Sequence, residues 1–185
     1  MSTLSGMYRT SQAPKLAAEP GWTLLEAPAL YDPARSFVSG DPTGQRLRVR
    51  YFRSSVGGEM LGKAWFGPGT EGPPGHAHGG SISSVMDEAM GGCAWMNGHT
   101  VVAAQLTVNF RKPLPLGTEA WFRAFIVEAK GRKVYARALL TTAHATEIFA
   151  EAAGLFVVID ANQIKSDDPR VKAMFDQARD RGKGG

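Results

Sequence analysis

Gly75-His76-Ala77-His78-Gly79-Gly80 runs straight into Ser81-Ile82-Ser83-Ser84-Val85-Met86-Asp87-Glu88-Ala89-Met90, a glycine-rich loop that becomes a helix. Two adjacent glycines let the backbone approach a ligand closely. The first N–H groups of a helix have no intrahelical acceptor, so a carbonyl oxygen that acquires negative charge finds donors there. Asp87 follows two helical turns later. A carboxylate can activate water as a general base or attack a carbonyl directly, so donors and carboxylate together equip a chain to hydrolyse an activated acyl group.

Eight residues separate Gly79 from Asp87, an advance of about 12 Å along a helix, whereas a reacting carbonyl needs donor and attacking group each within roughly 3 Å. One subunit does not supply both. Two copies about a two-fold axis place Asp87 of one chain opposite the Gly79 N–H of the other, so the spacing predicts a homodimer with shared sites. Ser83, Asp87, Gly91 and Ala94 share one helical stripe next to the apolar face, a seam of small residues suited to an acyl chain, while Glu88 points about 100° away. If the phase is one residue out, Glu88 replaces Asp87 in the role.

The elements that must position these groups follow from patterning. Ile82, Val85, Met86, Ala89 and Cys93 recur at three- and four-residue spacings, which predicts an amphipathic helix over 81–96. Before it, 45–53 and 59–66 read as strands joined at Gly57-Gly58; after it, 100–110, 119–128, 133–142 and 147–159 read as strands, the last three a meander. Leu47, Val49 and Tyr51 alternate with Arg46, Arg48 and Arg50, the signature of a half-buried strand. Residues 1–40 are an N-terminal extension rich in Pro, Ala and Ser, 41–160 the domain, and 161–185 a tail with a short helix over 168–181. The class is α+β, an antiparallel sheet wrapped around one central helix.

Composition narrows the function. With 185 residues, 43% apolar and 21% charged, the chain fits one soluble domain. Its pI is near 9.4, but the formal charge is only +4 and the basic residues are dispersed, which argues against nucleic acid and permits a ligand carrying several phosphates. No apolar run reaches the roughly 18 residues of a membrane span. Residues 1–18 hold only Arg9 and Lys15 as basic groups, too few for a transit peptide, and one cysteine, Cys93, sits within the helix; a cytoplasmic location is expected. His76 and His78 have no third and fourth ligand at a recognisable spacing, so no metal and no cofactor are expected.

The loop and helix resemble the His-Gly-Gly motif of hotdog-fold acyl-CoA thioesterases of the PaaI-like type. The similarity continues through Asn109-Phe110-Arg111-Lys112-Pro113-Leu114-Pro115, Gly131-Arg132-Lys133, Glu151-Ala152 and Leu155-Phe156, about residues 36 to 160. The resemblance implies a hotdog fold, assembly as a homodimer or dimer of dimers, and hydrolysis of acyl-CoA. It implies a catalytic carboxylate nine positions after the motif histidine, which is Asp87, with Gly79 N–H polarising the carbonyl and His78 orienting the loop or the substrate. Gly80, Arg111, Lys112, Gly131, Arg132 and Lys133 are then the substrate-binding candidates, the cations flanking turns at strand ends where phosphates of coenzyme A can reach. The Gly72-Pro73-Pro74-Gly75 form is similar to the branch acting on medium to long fatty acyl chains. Many relatives carry Thr or Ser where this chain has Ala103, and Thr107 is expected to share the Ala103 face. Pro74-Gly75-His76 leaves a hotdog enoyl-CoA hydratase or dehydratase as the enzymatic alternative, and a non-catalytic acyl-CoA-binding module as the other.

Overall fold

The computed structural model describes residues 14–25, 36–39, 41, 43–160, 164 and 168–181. Among these, seven strands are formed: β1 (Trp22–Leu24), β2 (Leu47–Ser54), β3 (Met60–Phe66), β4 (Val101–Phe110), β5 (Glu119–Lys130), β6 (Lys133–Thr141) and β7 (Ile148–Val158). Two α-helices accompany them, α1 (Gly79–Met96) and α2 (Pro169–Arg181). One sheet holds all seven strands in the order β1-β2-β3-β5-β6-β7-β4, every pairing antiparallel. The expected β5–β6–β7 meander is present, and β4 crosses over to the far edge.

Apolar burial wraps this sheet around α1. Ile82, Val85, Met86, Ala89, Met90 and Cys93 are buried against Val49, Ala64, Phe66, Phe122, Leu140 and Phe156, while Arg46 and Arg50 stay exposed, so the alternation in β2 reads as expected. Each such large apolar side chain removed from water contributes about 1.5–3 kcal/mol, which makes the helix face the main organiser of the sheet. Bulges between Ala103 and Gln105 and between Ile126 and Glu128 assist the curvature. At its far end α1 stops where Gly98 adopts φ 85°. Asn97 Nδ2 donates to Gly58 O at 2.7 Å and Arg53 Nη2 to Met96 O at 3.2 Å, so the β2–β3 turn and the helix C-terminus hold each other.

Two features exceed the sequence expectation. The helix begins at Gly79 rather than Ser81, because His78 caps it. The extension also adds β1, a strand of three residues, too short to display alternation. Residues 14–25 lie across the outer sheet face, where Trp22 packs on Phe52 and Trp121 at ring centroid distances of 5.4 and 5.2 Å. Lys63, only 4% exposed, keeps its charge there because Glu19 (2.5 Å), Glu119 (3.4 Å) and the Trp121 face (4.6 Å) surround it. In the tail, α2 sets Phe175 against Trp95 at 6.2 Å. The transit-peptide reading of 1–18 falls largely on residues outside those described.

The helix-facing side of β3 is packed to its limit at Gly62. A Cβ there meets Phe122 Cζ at 1.9 Å, with Phe122 itself buried. Gly62→Ala is expected to destabilise the fold by about 1–3 kcal/mol through overpacking, read as a lower denaturant midpoint with an unchanged slope. A midpoint equal to that of the parent chain contradicts this packing.

Candidate functional site

The motif loop is held by backbone hydrogen bonds on both flanks. Ala77 N donates to Leu114 O (2.8 Å), His78 N to Thr70 O (2.7 Å) and Gly72 N to His76 O (2.9 Å), while Gly75, at φ 76°, makes the turn between them. The His78 backbone is extended (φ −65°, ψ 138°), and its Nδ1 accepts the Gly80 N–H at 2.9 Å. A ring nitrogen that accepts a backbone proton leaves the other nitrogen as the N–H of the neutral ring, so His78 Nε2 is a donor. His76 Nδ1 lies 3.0 Å from Pro74 O and must donate to it. Both histidines are therefore oriented by the loop itself.

Capping consumes some of the helix-start donors and leaves one. Gly80 N goes to His78 Nδ1, and Ser81 N and Ile82 N go to His78 O. Gly79 N–H has no acceptor among the described residues, and it stands at the positive end of the α1 dipole. Each glycine makes room for a ring. A Cβ on Gly80 meets His78 Nδ1 at 2.9 Å, and one on Gly79 meets Phe110 Cζ at 3.1 Å. Ser81, Ser83 and Ser84 hydroxyls donate to the carbonyls of His78, Gly79 and Gly80 at 2.7, 2.9 and 2.8 Å, which keeps their oxygen lone pairs available as acceptors.

Asp87 lies two turns along α1, half-buried between Ser83 and Gly91 on the helix, and no hydrogen bond or ion pair reaches it among the described residues. Burial alone pushes its carboxyl above the ordinary range. A carboxylate raised by desolvation without a cation to steady it is poised as a base, the environment that marks functional carboxylates. Glu88, by contrast, has a partner. Beside this stripe runs β4, which pairs with β7 along one edge only; Leu106 (36% exposed) and Phe110 (53%) stand out from it. The Ala103–Gln105 bulge overturns one expectation: Ala103 sits opposite Phe156 and Thr107 opposite Ala153, so Thr107 faces the other side of the sheet from Ala103.

The remaining candidates fall in two groups at opposite ends of β4. Arg111 and Lys112 follow Phe110 at the motif end, paired with Glu151 (2.8 Å) and Glu147 (2.6 Å) in exposed bridges. Gly131, Arg132 and Lys133 lie at the Val101 end: Val101 pairs with Val158, whose N–H donates to Arg132 O at 2.7 Å and whose carbonyl accepts Arg132 Nε at 3.1 Å. Gly131, with φ 57°, forms the two-residue turn from β5 to β6, and Lys133 is exposed. A cleft of about 450 Å³ opens beside the motif turn, lined by Phe37, Arg46, Leu47, Thr70, Glu71, His78, Gly80, Ser81 and Ser84. Phe37, Arg46 and the serines were not legible as site residues. Their only signal is an aromatic next to Val38 in an otherwise polar stretch. Among the described residues no three His, Cys, Asp or Glu side chains converge as metal ligands, and no helix is long and apolar enough to cross a membrane.

With this geometry in hand, residues 74–149 match the family model of the thioesterase superfamily. That match takes in the motif loop, α1 and the strands β4 to β6. The acyl-coenzyme A thioesterase THEM4 of Bos taurus is 32% identical over 94 residues, covering 51% of this chain and 38% of the relative. The Xenopus laevis acyl-coenzyme A thioesterase THEM4 is 35% identical over 92 residues, 49% and 41% of the two chains. The chain thus spans about two-fifths of the length of these curated relatives. The PaaI protein of the E. coli phenylacetic acid degradation operon superposes with a TM-score of 0.55 at 17% identity, over 60% of this chain and 80% of that one. The described residues therefore have the hotdog fold, the sheet curled around α1.

The isolated Asp87 carboxylate has a measurable cost. Its pKa is raised on folding, so the folded state gains relative stability below the ordinary carboxylate value and loses it as pH rises through the raised value. Asp87→Asn is expected to raise the thermal midpoint at neutral pH, with the difference shrinking as the carboxyl protonates and vanishing in acid. A variant less stable than the parent at neutral pH contradicts this and reveals a partner that steadies the charge.

Proposed function

We propose that the protein hydrolyses acyl-CoA thioesters to free acid and coenzyme A at two sites shared across a homodimer. The observation that carries the reading is the pairing, on one helix, of an uncommitted Gly79 N–H with a half-buried, partnerless Asp87 carboxylate. Gly79 N–H polarises the thioester carbonyl and stabilises the negative charge that develops on its oxygen. Asp87 either removes a proton from the attacking water or adds to the carbonyl carbon to give a mixed anhydride, which water then opens; in both routes the thiolate of coenzyme A leaves and is protonated. His78 Nε2–H is a further donor at the same turn. The resemblance to acyl-coenzyme A thioesterases over the matched segment supports the substrate class.

Separation along α1 supports the shared site. Because Gly79 and Asp87 are about 12 Å apart on one helix, the two act together only between copies. The ten-residue β4 offers the means, since its outer edge is unpaired among the described residues and Val102–Thr107 are exposed. Antiparallel pairing of β4 with its two-fold mate brings the partner's β5–β6 turn to this chain's motif end. Gly131, Arg132 and Lys133 would then serve the coenzyme A phosphates of a site whose Gly79 they lie far from in their own chain. Arg111 and Lys112, already bridged to Glu151 and Glu147, add positive charge at the same end. Leu106, Phe110 and the Ser83–Gly91 seam provide the apolar walls for a medium to long fatty acyl chain. Such an enzyme serves fatty acid metabolism, and the buried thiol of Cys93 is compatible with the reducing cytoplasm.

Asp87→Asn keeps the size and hydrogen-bonding capacity of the side chain while removing its charge. Thiol release from a panel of acyl-CoAs is expected to fall by about a hundredfold or more, with Glu88→Gln retaining most activity. In the parent, activity should fall on acidification through a pKa above that of an ordinary carboxylate. Undiminished activity in Asp87→Asn overturns the assignment. Hydration of an enoyl-CoA without thiol release would favour the dehydratase chemistry instead.

A further inference from the structure

Part of the cleft beside the motif turn is built by a segment about forty residues upstream of it. Phe37 stands over the cleft with 76% of its surface exposed, yet its backbone is pinned. Val38 next to it is buried in the core, Ser39 N donates to Ser36 Oγ at 3.0 Å, and the two serine hydroxyls meet at 3.1 Å. A single exposed aromatic is ordinary, but one whose turn is tied to the core through Val38 and which lines a mixed-polarity cleft is what small-ligand sites use. The same cleft is lined by Ser81 and Ser84, whose hydroxyl protons are spent on backbone carbonyls, and by His78, whose Nε2–H is a donor. Arg46 lies on the rim. Acceptors, a donor and an apolar ring thus line one cleft of about 450 Å³.

This combination matches the pantetheine arm of coenzyme A, a flexible chain carrying two amides, a hydroxyl and a pair of methyl groups. We propose that Phe37 of the N-terminal extension determines affinity for that arm, resting on the acyl-CoA thioesterase reading above. The ring packs on the methylene and methyl groups. Serine oxygens accept amide N–H, and His78 Nε2–H donates to an amide carbonyl. The cleft opens on the Gly80–Ser84 flank of α1, while the Asp87 seam leaves towards β4. The two arms of a thioester held at Gly79 N–H therefore part in these two directions, the acyl group along the seam and the pantetheine under Phe37.

Phe37 is exposed, so its truncation leaves the fold intact, which a thermal midpoint verifies. Phe37→Ala is expected to raise KM for an acyl-CoA about five- to tenfold with kcat within about twofold, and Phe37→Leu to recover most of the loss. The loss on the N-acetylcysteamine thioester of the same acid should be at least about threefold smaller, because that substrate lacks the methyl-bearing portion of the arm. Calorimetric binding of free coenzyme A, which needs no turnover, should weaken by the same factor as KM. An unchanged affinity for coenzyme A overturns the proposal, as does an equal loss on both thioesters or a loss that grows with acyl chain length. Failure of the catalytic reading itself shows separately, as intact activity in Asp87→Asn.

Discussion

One hydrogen bond decides what the start of α1 offers a substrate: the Gly80 N–H given to His78 Nδ1. It fixes the tautomer of His78, closes the helix cap, and leaves Gly79 N–H as a donor without an acceptor among the described residues. A side chain at residue 80 would meet the capping ring, and one at residue 79 would meet Phe110, so the glycine pair is required by two neighbouring rings as much as by a ligand. The loop hydrogen bonds through Thr70, Leu114 and His76 exist to hold that cap in place. The thioesterase reading of residues 74–149 begins from this turn.

The same helix that creates the donor separates it from the base. A rigid α1 cannot bend Asp87 back to Gly79, and the apolar face that locks α1 into the sheet also forbids it to slide. On the proposed reaction, chemistry at a thioester depends on a second copy, and β4, whose outer edge is unpaired among the described residues, offers it a place to dock. On that proposal the cost of a half-buried carboxylate without a partner among the described residues falls on the monomer, as stability yields to function.

Much of this was legible in the residues, and the gaps have physical causes. The helix over 81–96 announced itself because five core positions repeat with its period, and the meander because its β-rich strands are divided by turn formers. The place of Asp87, two turns along α1 on the stripe of Ser83 and Gly91, was legible because spacing along a helix is rigid. Alternation failed at the bulge, where one extra residue near Ala103 reverses the facing of Thr107. A strand as short as Trp22–Leu24 has no period to read, and its place depends on aromatic contacts with Phe52 and Trp121 that no local window contains. The cation candidates could be listed from sequence but not sorted: only the fold shows that Arg111 and Lys112 are bridged to β7 and its preceding turn while Gly131–Lys133 sit at the far end of β4. Phe37 lay hidden for the same reason, being brought to the cleft by the anchoring of Val38.

The central claim is that each site takes its oxyanion donor from one chain and its carboxylate from the other. The most direct measurement mixes two inactive chains, Asp87→Asn and Gly79→Pro. The second removes the donor at a backbone position that accepts proline, because His78 is already extended; the proline ring pushes the Phe110 side chain aside, and a thermal midpoint verifies that the fold survives. Refolded together, they form heterodimers in which one site holds both intact groups and the other neither. Recovery of about a quarter of the parent activity is predicted for statistical mixing. Mixtures that remain inactive although heterodimers are shown to form would contradict the account.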